Sequence, residues 1–307
     1  MAYLNSSSVK KLAVSTGFDK CGISRSIVTN SDISFFNNWL DLSYNADMKY
    51  MSANKDLRCH PSKLLENSKS VISVILNYNI SETLKNQTFN ISKYALINDY
   101  HDIMRSKLEK LLLCIKEELP QINAGIFTDT APILERYFAM SSGLGFIGKN
   151  TCLINPELGS WVFIGEILTD AEFDFYDSPI PINCGECNKC INACPCQAIN
   201  ENGLNANKCI SYHTIENKNE TPKDIADKIT NQLFGCDICQ NVCPYNNKKA
   251  ILNKSDLLNI TEILDSLNPI ELQNMSNREF NRRYKNTSLI RAGRKKLIEN
   301  FSHLKNC

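Results

Sequence analysis

Apolar residues recur along this chain in two rhythms. From Asp99 to Leu119 they fall at Ile103, Leu108, Leu111, Leu112 and Ile115, the one-sided spacing of an amphipathic helix. Residues 7–16 and 32–45 repeat that spacing, with Ser or Asp where an N-cap belongs. Val71-Ile-Ser-Val-Ile-Leu-Asn-Tyr78 is instead dense in β-branched residues and predicts a buried strand. A short strand is expected at Ala124 to Phe127 and a stronger one at Trp161 to Thr169. Asp129 follows the first of these, ahead of Pro132 and a helix running to about Ser142. Gly143, Gly145 and Gly148 punctuate a turn into a strand ending near Ile154. This mixture predicts one α+β domain over residues 1–175. Asp174 to Pro181, with two prolines, reads as a linker into residues 176–248, and the stretch 249–307 as polar and helical.

Composition adds limits. The chain has 307 residues, 43% hydrophobic and 22% charged, ordinary values for a globular protein with more than one domain. No apolar run is long enough to cross a bilayer, and the N-terminus lacks the basic, apolar, small-residue order of a secretory signal. The expectation is a cytoplasmic monomer without membrane contact. In a reducing compartment, 14 cysteines point to metal or redox chemistry rather than disulfides.

Eight of those cysteines form a pattern. Cys184-Gly-Glu-Cys187-Asn-Lys-Cys190-Ile-Asn-Ala-Cys194-Pro195 has the bacterial ferredoxin spacing, in which the fourth cysteine ligates the other cluster. Cys236-Asp-Ile-Cys239-Gln-Asn-Val-Cys243-Pro244 lacks one closely spaced thiol, which Cys209 can supply. The runs complete each other. Cys184, Cys187, Cys190 and Cys243 would hold one 4Fe–4S cluster, and Cys194, Cys209, Cys236 and Cys239 the other. Cys196 is then surplus, and it joins Cys21, Cys59, Cys114, Cys152 and Cys307 as an ordinary thiol. Paired structural zinc sites are the alternative, but they do not require the Cys-Pro endings. Two clusters make an electron wire, which needs a recipient.

Further motifs carry a resemblance. Phe127-Thr-Asp129-Thr-Ala-Pro132-Ile-Leu-Glu135-Arg136, the segment Gly143 to Thr151, Gly159-Ser-Trp-Val-Phe-Ile-Gly-Glu166, Cys209-Ile-Ser211-Tyr212-His213 and Phe234-Gly-Cys236-Asp237 resemble the epoxyqueuosine reductase family, in order and spacing, from about residue 10 to 300. The resemblance implies a nitroreductase-like cobalamin-binding domain, then a ferredoxin-like two-cluster module, then a short helical segment. It implies reduction of epoxyqueuosine to queuosine at the wobble position of tRNA, with cobalamin and two 4Fe–4S clusters as cofactors and an unidentified electron donor as partner. Asp129 would be the proton donor, with a carboxyl pKa raised by burial; from the residues alone it could equally be a helix N-cap. Arg58, Leu153, Ile164, Leu168, Ser211 and Asp237, together with Asp129, would contact cobalamin. Asp99-Tyr-His101-Asp-Ile-Met104 has the first two residues of the usual Asp-x-His-x-x-Gly lower-ligand signature and not its glycine, so a cobalt without a histidine ligand is expected.

Net charge is +1, but residues 276–307 hold nine Lys/Arg against two Glu, a local +7. Such a segment suits tRNA phosphates, through Arg282, Arg283, Lys285, Arg291, Arg294, Lys295 and Lys296, or is a solvated face. The competing functions are a reductive dehalogenase with the same cofactors and a plain electron-transfer protein.

Overall fold

The computed structural model describes residues 4–79, 88–246 and 260–305. The expected boundary at 248/249 and Cys307 lie outside them. At the centre is a four-stranded antiparallel sheet of β1 (Lys20–Arg25), β2 (Ser70–Asn77), β3 (Ala124–Phe127) and β4 (Val162–Thr169), in spatial order β1-β2-β4-β3. Helices α1 (Ser6–Ser15), α2 (Asn30–Asp41), α3 (Tyr100–Glu118) and α4 (Glu135–Ser141) surround it. An antiparallel sheet with packed helices is an α+β architecture.

The two central strands are covered on both faces, which explains their nearly unbroken apolar sequences. On one face Ile72, Val74, Leu76, Phe163 and Ile167 meet Val9 and Ala13 of α1 and Met104, Leu108, Leu111 and Ile115 of α3. Each Val, Leu, Ile, Phe or Met side chain among them, fully buried, contributes about 1.5–3 kcal/mol. Gly165 lets α3 lie close: a Cβ there would stand 2.7 Å from Met104 Cε. On the other face, Val71 and Leu168 pack on Phe138 of α4, and Ile75 packs with Ala139, Leu144 and Leu153. Between these two patches lie Ser73 and Glu166, cross-strand neighbours on β2 and β4.

The cysteine-rich region is stitched onto this domain. Gln232–Phe234 pairs with Asn90–Ile91 in a parallel ladder, and α5 (Ile210–Ile215) follows Cys209. The C-terminal helices, including α6 (Asn277–Tyr284) and α7 (Arg294–Ser302), complete the structure. Asn300 Nδ2 on α7 donates to Thr214 O and Leu233 O, each at 2.9 Å. One apolar cluster runs from Leu4 through Phe163 and Leu233 to Phe301 and Leu304, so all three expected segments share a core. Among the described residues no helix is long and apolar enough to cross a membrane.

Candidate functional site

The cysteines gather in two groups. Cys184, Cys187, Cys190 and Cys243 line one small cavity, closed by Lys149, Asn150 and Tyr245. The Lys149 backbone N–H donates to Cys184 Sγ at 3.4 Å, and its ammonium ties Gly185 O and Asn188 Oδ1 at 2.9 and 2.8 Å. In the second group burial raises the Cys236 thiol to about 12, with Cys209 and Cys194 adding to the rise. Burial likewise raises Cys239, next to Cys152, Cys236 and Cys209. The Ala198 N–H donates to Cys194 Sγ at 3.3 Å. Backbone N–H groups aimed at sulfur, and four thiols per group, fit a metal–thiolate cluster in each. Cys196 is buried beside the second group, raised to about 11 by burial while Lys228 opposes the rise.

A second arrangement surrounds Asp129, which ends the turn after β3 at φ 46°. His101 Nε2 meets Asp129 Oδ2 at 3.1 Å, and His101 Nδ1 meets Asp99 Oδ1 at 2.7 Å. Asp99 is the N-cap of α3 and also accepts from the His101 backbone N–H. Tyr100 lies stacked between Phe163 and His101, its ring centroid 4.2 Å from each. α3 thereby delivers an imidazole clamped between two carboxylates. Burial opposes charge on His101, but Asp129 and Asp99 overcome it and raise the imidazole to about 9.

The same contacts correct the expectation for Asp129. Burial does push its carboxyl upward, but the hydrogen bond and charge of His101 outweigh burial and hold it below the ordinary range. The site's proton therefore rests on His101 at neutral pH. The N-cap alternative also falls. α4 begins at Glu135 rather than Pro132, with Leu134 as its N-cap. With both ring nitrogens engaged by carboxylates, His101 is not a free metal ligand.

The other expected contacts scatter more. Arg58 is buried, donates from Nη1 to Ile133 O at 3.2 Å, and leaves Nε without a partner among the described residues. Ile164 is half-buried and Leu153 buried in one apolar patch with Leu144. Leu168 lies in the core between Val71 and Phe138 at 0% exposure, behind the wall rather than on it. Asp237 accepts from the Lys93 N–H at 2.6 Å beside Cys236, and Ser211 is half-buried at the start of α5. A buried guanidinium N–H without an acceptor among the described residues and a separate apolar patch are the kind of donor and surface that the amide-fringed, otherwise apolar rim of a corrin would meet.

The basic segment divides. Arg282, Lys285 and Lys295 are exposed. Arg283 pairs with Glu271 at 2.9 Å. Arg294 donates to Leu272 O and Asn277 Oδ1. Lys296 does not join that surface: it is 4% exposed and donates to Asn219 O and Glu299 Oε2 at 2.8 and 2.7 Å. Arg291 forks onto Glu216 at 2.6 and 2.8 Å and lies over Tyr50, where its charge also bears on Asp129. Helical phase, which decides these outcomes, is visible only once α7 has packed.

A family model described as a 4Fe-4S double cluster binding domain matches residues 183–246, and one described as epoxyqueuosine reductase QueG matches residues 58–130. A curated protein named epoxyqueuosine reductase from Cyclobacterium marinum is 37% identical over 302 residues, covering 97% of this chain and 96% of that one. Another of that name, from Aliivibrio fischeri, is 35% identical over 96% of this chain and 80% of its own length. Among solved structures, the chain is similar to an epoxyqueuosine reductase with an epoxyqueuosine-modified tRNA-Tyr stem loop, at TM-score 0.87 and 29% identity over 98% of this chain and 82% of that one. It is also similar to a Bacillus subtilis epoxyqueuosine reductase with its catalytic loop swung out of the active site, at TM-score 0.85 and 30% identity over 96% and 79%.

Proposed function

The chain belongs to the epoxyqueuosine reductase family, and from that membership we propose that it reduces epoxyqueuosine to queuosine at the wobble position of tRNA, in the cytoplasm and as a monomer, with electrons from an as yet unidentified donor. The observation that carries the reading is the juxtaposition of two four-thiol groups with a carboxylate–imidazole–carboxylate site in one continuous fold. Residues 1–175 form a nitroreductase-like cobalamin domain, 176–248 the two-cluster module, and 249–307 the arm that meets tRNA. Arg58, Leu153, Ile164, Ser211 and Asp237 would hold the corrin, with Leu168 supporting that wall from the core. Cobalamin supplies, when bound, the reductant that meets the epoxide carbon.

Reduction of an epoxide to an alkene takes up two electrons and two protons and releases one water. Asp129 faces the departing oxygen and relays to it the proton that His101 holds. His101 carries a proton at neutral pH and passes it to Asp129 Oδ2 across the 3.1 Å contact, while Asp99 fixes the ring from its other nitrogen. Asp129 is 56% exposed, so solvent can reload the pair with the second proton.

The test is anaerobic, single-turnover reaction of the pre-reduced protein with epoxyqueuosine-containing tRNA, followed by nucleoside analysis. Queuosine should form. Asp129→Asn should keep both clusters and cobalamin but slow turnover by ~10²–10⁴-fold. A rate within a few-fold of the parent would move the acid to another group, and absence of queuosine with the parent would sink the assignment. Cobalamin retained through anaerobic purification separates this reading from a plain electron carrier.

A further inference from the structure

The turn that carries Asp129 is held from behind by carboxyls that the chemistry above does not use. Glu135, the first residue of α4, accepts a hydrogen bond from the Asp129 backbone N–H. That bond supports a non-glycine residue at positive φ, a conformation that persists only where its surroundings enforce it. Beneath Glu135 lies Glu166 of β4, at 0% exposure. Its Oε1 accepts from Ser73 Oγ at 3.1 Å, and its Oε2 has no partner among the described residues.

Among the described residues no cation is bonded to these carboxyls. Arg58 and Arg136 act on Glu135 from a distance, but Arg58 donates to Ile133 O and Arg136 to the Thr151 carbonyl and hydroxyl. Among the described residues neither makes an ion pair with Glu135 or Glu166. The remaining charged neighbour is Asp129 itself, kept ionised by His101. Burial first, and then the Asp129 charge, pushes Glu135 up to about 8, against the Asp129 N–H bond and the Arg136 and Arg58 charges, which favour its ionised form. Burial, followed by the charge of Glu135, raises Glu166 well above the carboxylate range.

We propose that Glu135 is a positioning residue for the reduction: its carboxyl oxygen accepts the Asp129 backbone N–H, holds the turn at positive φ and so aims the Asp129 carboxyl. This rests on the role given to Asp129, and the closing experiment keeps the two apart.

The experiment uses the cluster- and cobalamin-loaded protein between pH 6 and 9.5. It reads the single-turnover rate and, separately, hydrogen exchange of the peptide containing the Asp129 amide, corrected for intrinsic rates. The parent should keep Asp129 protection across this range, since an ionised carboxyl accepts the N–H more strongly than a neutral one. Glu135→Gln keeps an acceptor and should keep most of the protection and a rate within a few-fold of the parent at pH 7. Glu135→Ala should lose protection at pH 7 and react more slowly, on the order of 10²-fold for a misaimed group, with iron and cobalamin contents confirming that it folds. A Gln variant as unprotected and as slow as the Ala variant overturns the proposal, and so does an Ala variant with parental protection and rate. If Asp129→Asn reacts at the parental rate while the exchange results hold, the acid assignment fails and the latch stands.

Discussion

At the scale of single residues, His101 sets the protonation of the proposed Asp129 site. Its two nitrogens touch carboxylates at 3.1 and 2.7 Å, and their charge keeps it protonated at neutral pH. His101→Gln should remove the main contacts that lower the Asp129 carboxyl and let it rise, with Tyr100 and Arg291 still opposing the rise. Reduction at pH 7 should fall by ~10²–10⁴-fold, and the residual rate should climb as pH is lowered, which a pH–rate profile reads directly. Asp129 was legible as a candidate because it stands in a distinctive run, but its protonation was not, because the imidazole that sets it lies 28 positions away on another helix. Glu166 makes a second prediction. Its raised pKa means that the folded protein keeps a proton that the unfolded chain releases above about pH 4.3. Stability therefore falls as pH rises past that value until the folded-state pKa is reached. Glu166→Gln removes this term, so its Tm relative to the parent should be higher at pH 8 than at pH 5. An equal difference at both values would show that Glu166 is not held neutral.

At the scale of elements, the strongly patterned pieces were readable from sequence and the weakly patterned ones were not. β2, β4 and α3 fall within a residue or two of the expected spans because each packs an apolar stripe whose period survives in sequence. β1 was missed: Lys-Cys-Gly-Ile-Ser-Arg has little alternation, and its strand exists through pairing with β2. The second cluster group depends on such element-level fitting. Gly235 precedes Cys236 at φ 73°, its N–H donates to Thr214 Oγ1 at 2.9 Å, and a Cβ there would stand 2.1 Å from Ser92 Oγ. Gly235→Ala should therefore displace Cys236 and cost iron from that group, while the group containing Cys184 is kept. Iron analysis with electron paramagnetic resonance would show this, and full iron content in the variant would refute it. Cys209→Ser should behave similarly, whereas Cys196→Ser should leave iron near that of the parent.

For the whole molecule, the continuous core from Leu4 to Leu304 makes the C-terminal arm part of the catalytic body rather than a tail. α7 is fastened to the cluster module by Asn300, and Arg291 reaches the mouth of the Asp129 site through Glu216 and Tyr50. The sequence showed a +7 segment but could not say which charges face outward. Arg282, Lys285 and Lys295 do, while Lys296 faces inward and neutralises Glu299. Phosphate neutralisation releases counterions, so each lost contact should reduce the slope of log affinity against log salt by ~0.7–0.9. Replacing Arg282, Lys285 and Lys295 with Ala should weaken tRNA binding and flatten that slope, with iron, cobalamin and Tm unchanged. Lys296→Ala should act differently. It removes the ammonium from Glu299 Oε2 and from the Asn219 carbonyl in a partly buried site, leaving the Glu299 carboxylate, among the described residues, only its Thr221 donors and His303, so Tm should fall while the salt slope of the remaining folded protein stays parental. Binding titrations across salt concentrations, run beside thermal denaturation, separate the two classes. A triple variant with the parental slope would return the exposed arginine and lysines to a solvated face, and a Lys296→Ala protein with parental Tm and a flattened slope would mean that α7 turns its lysine outward to meet the tRNA.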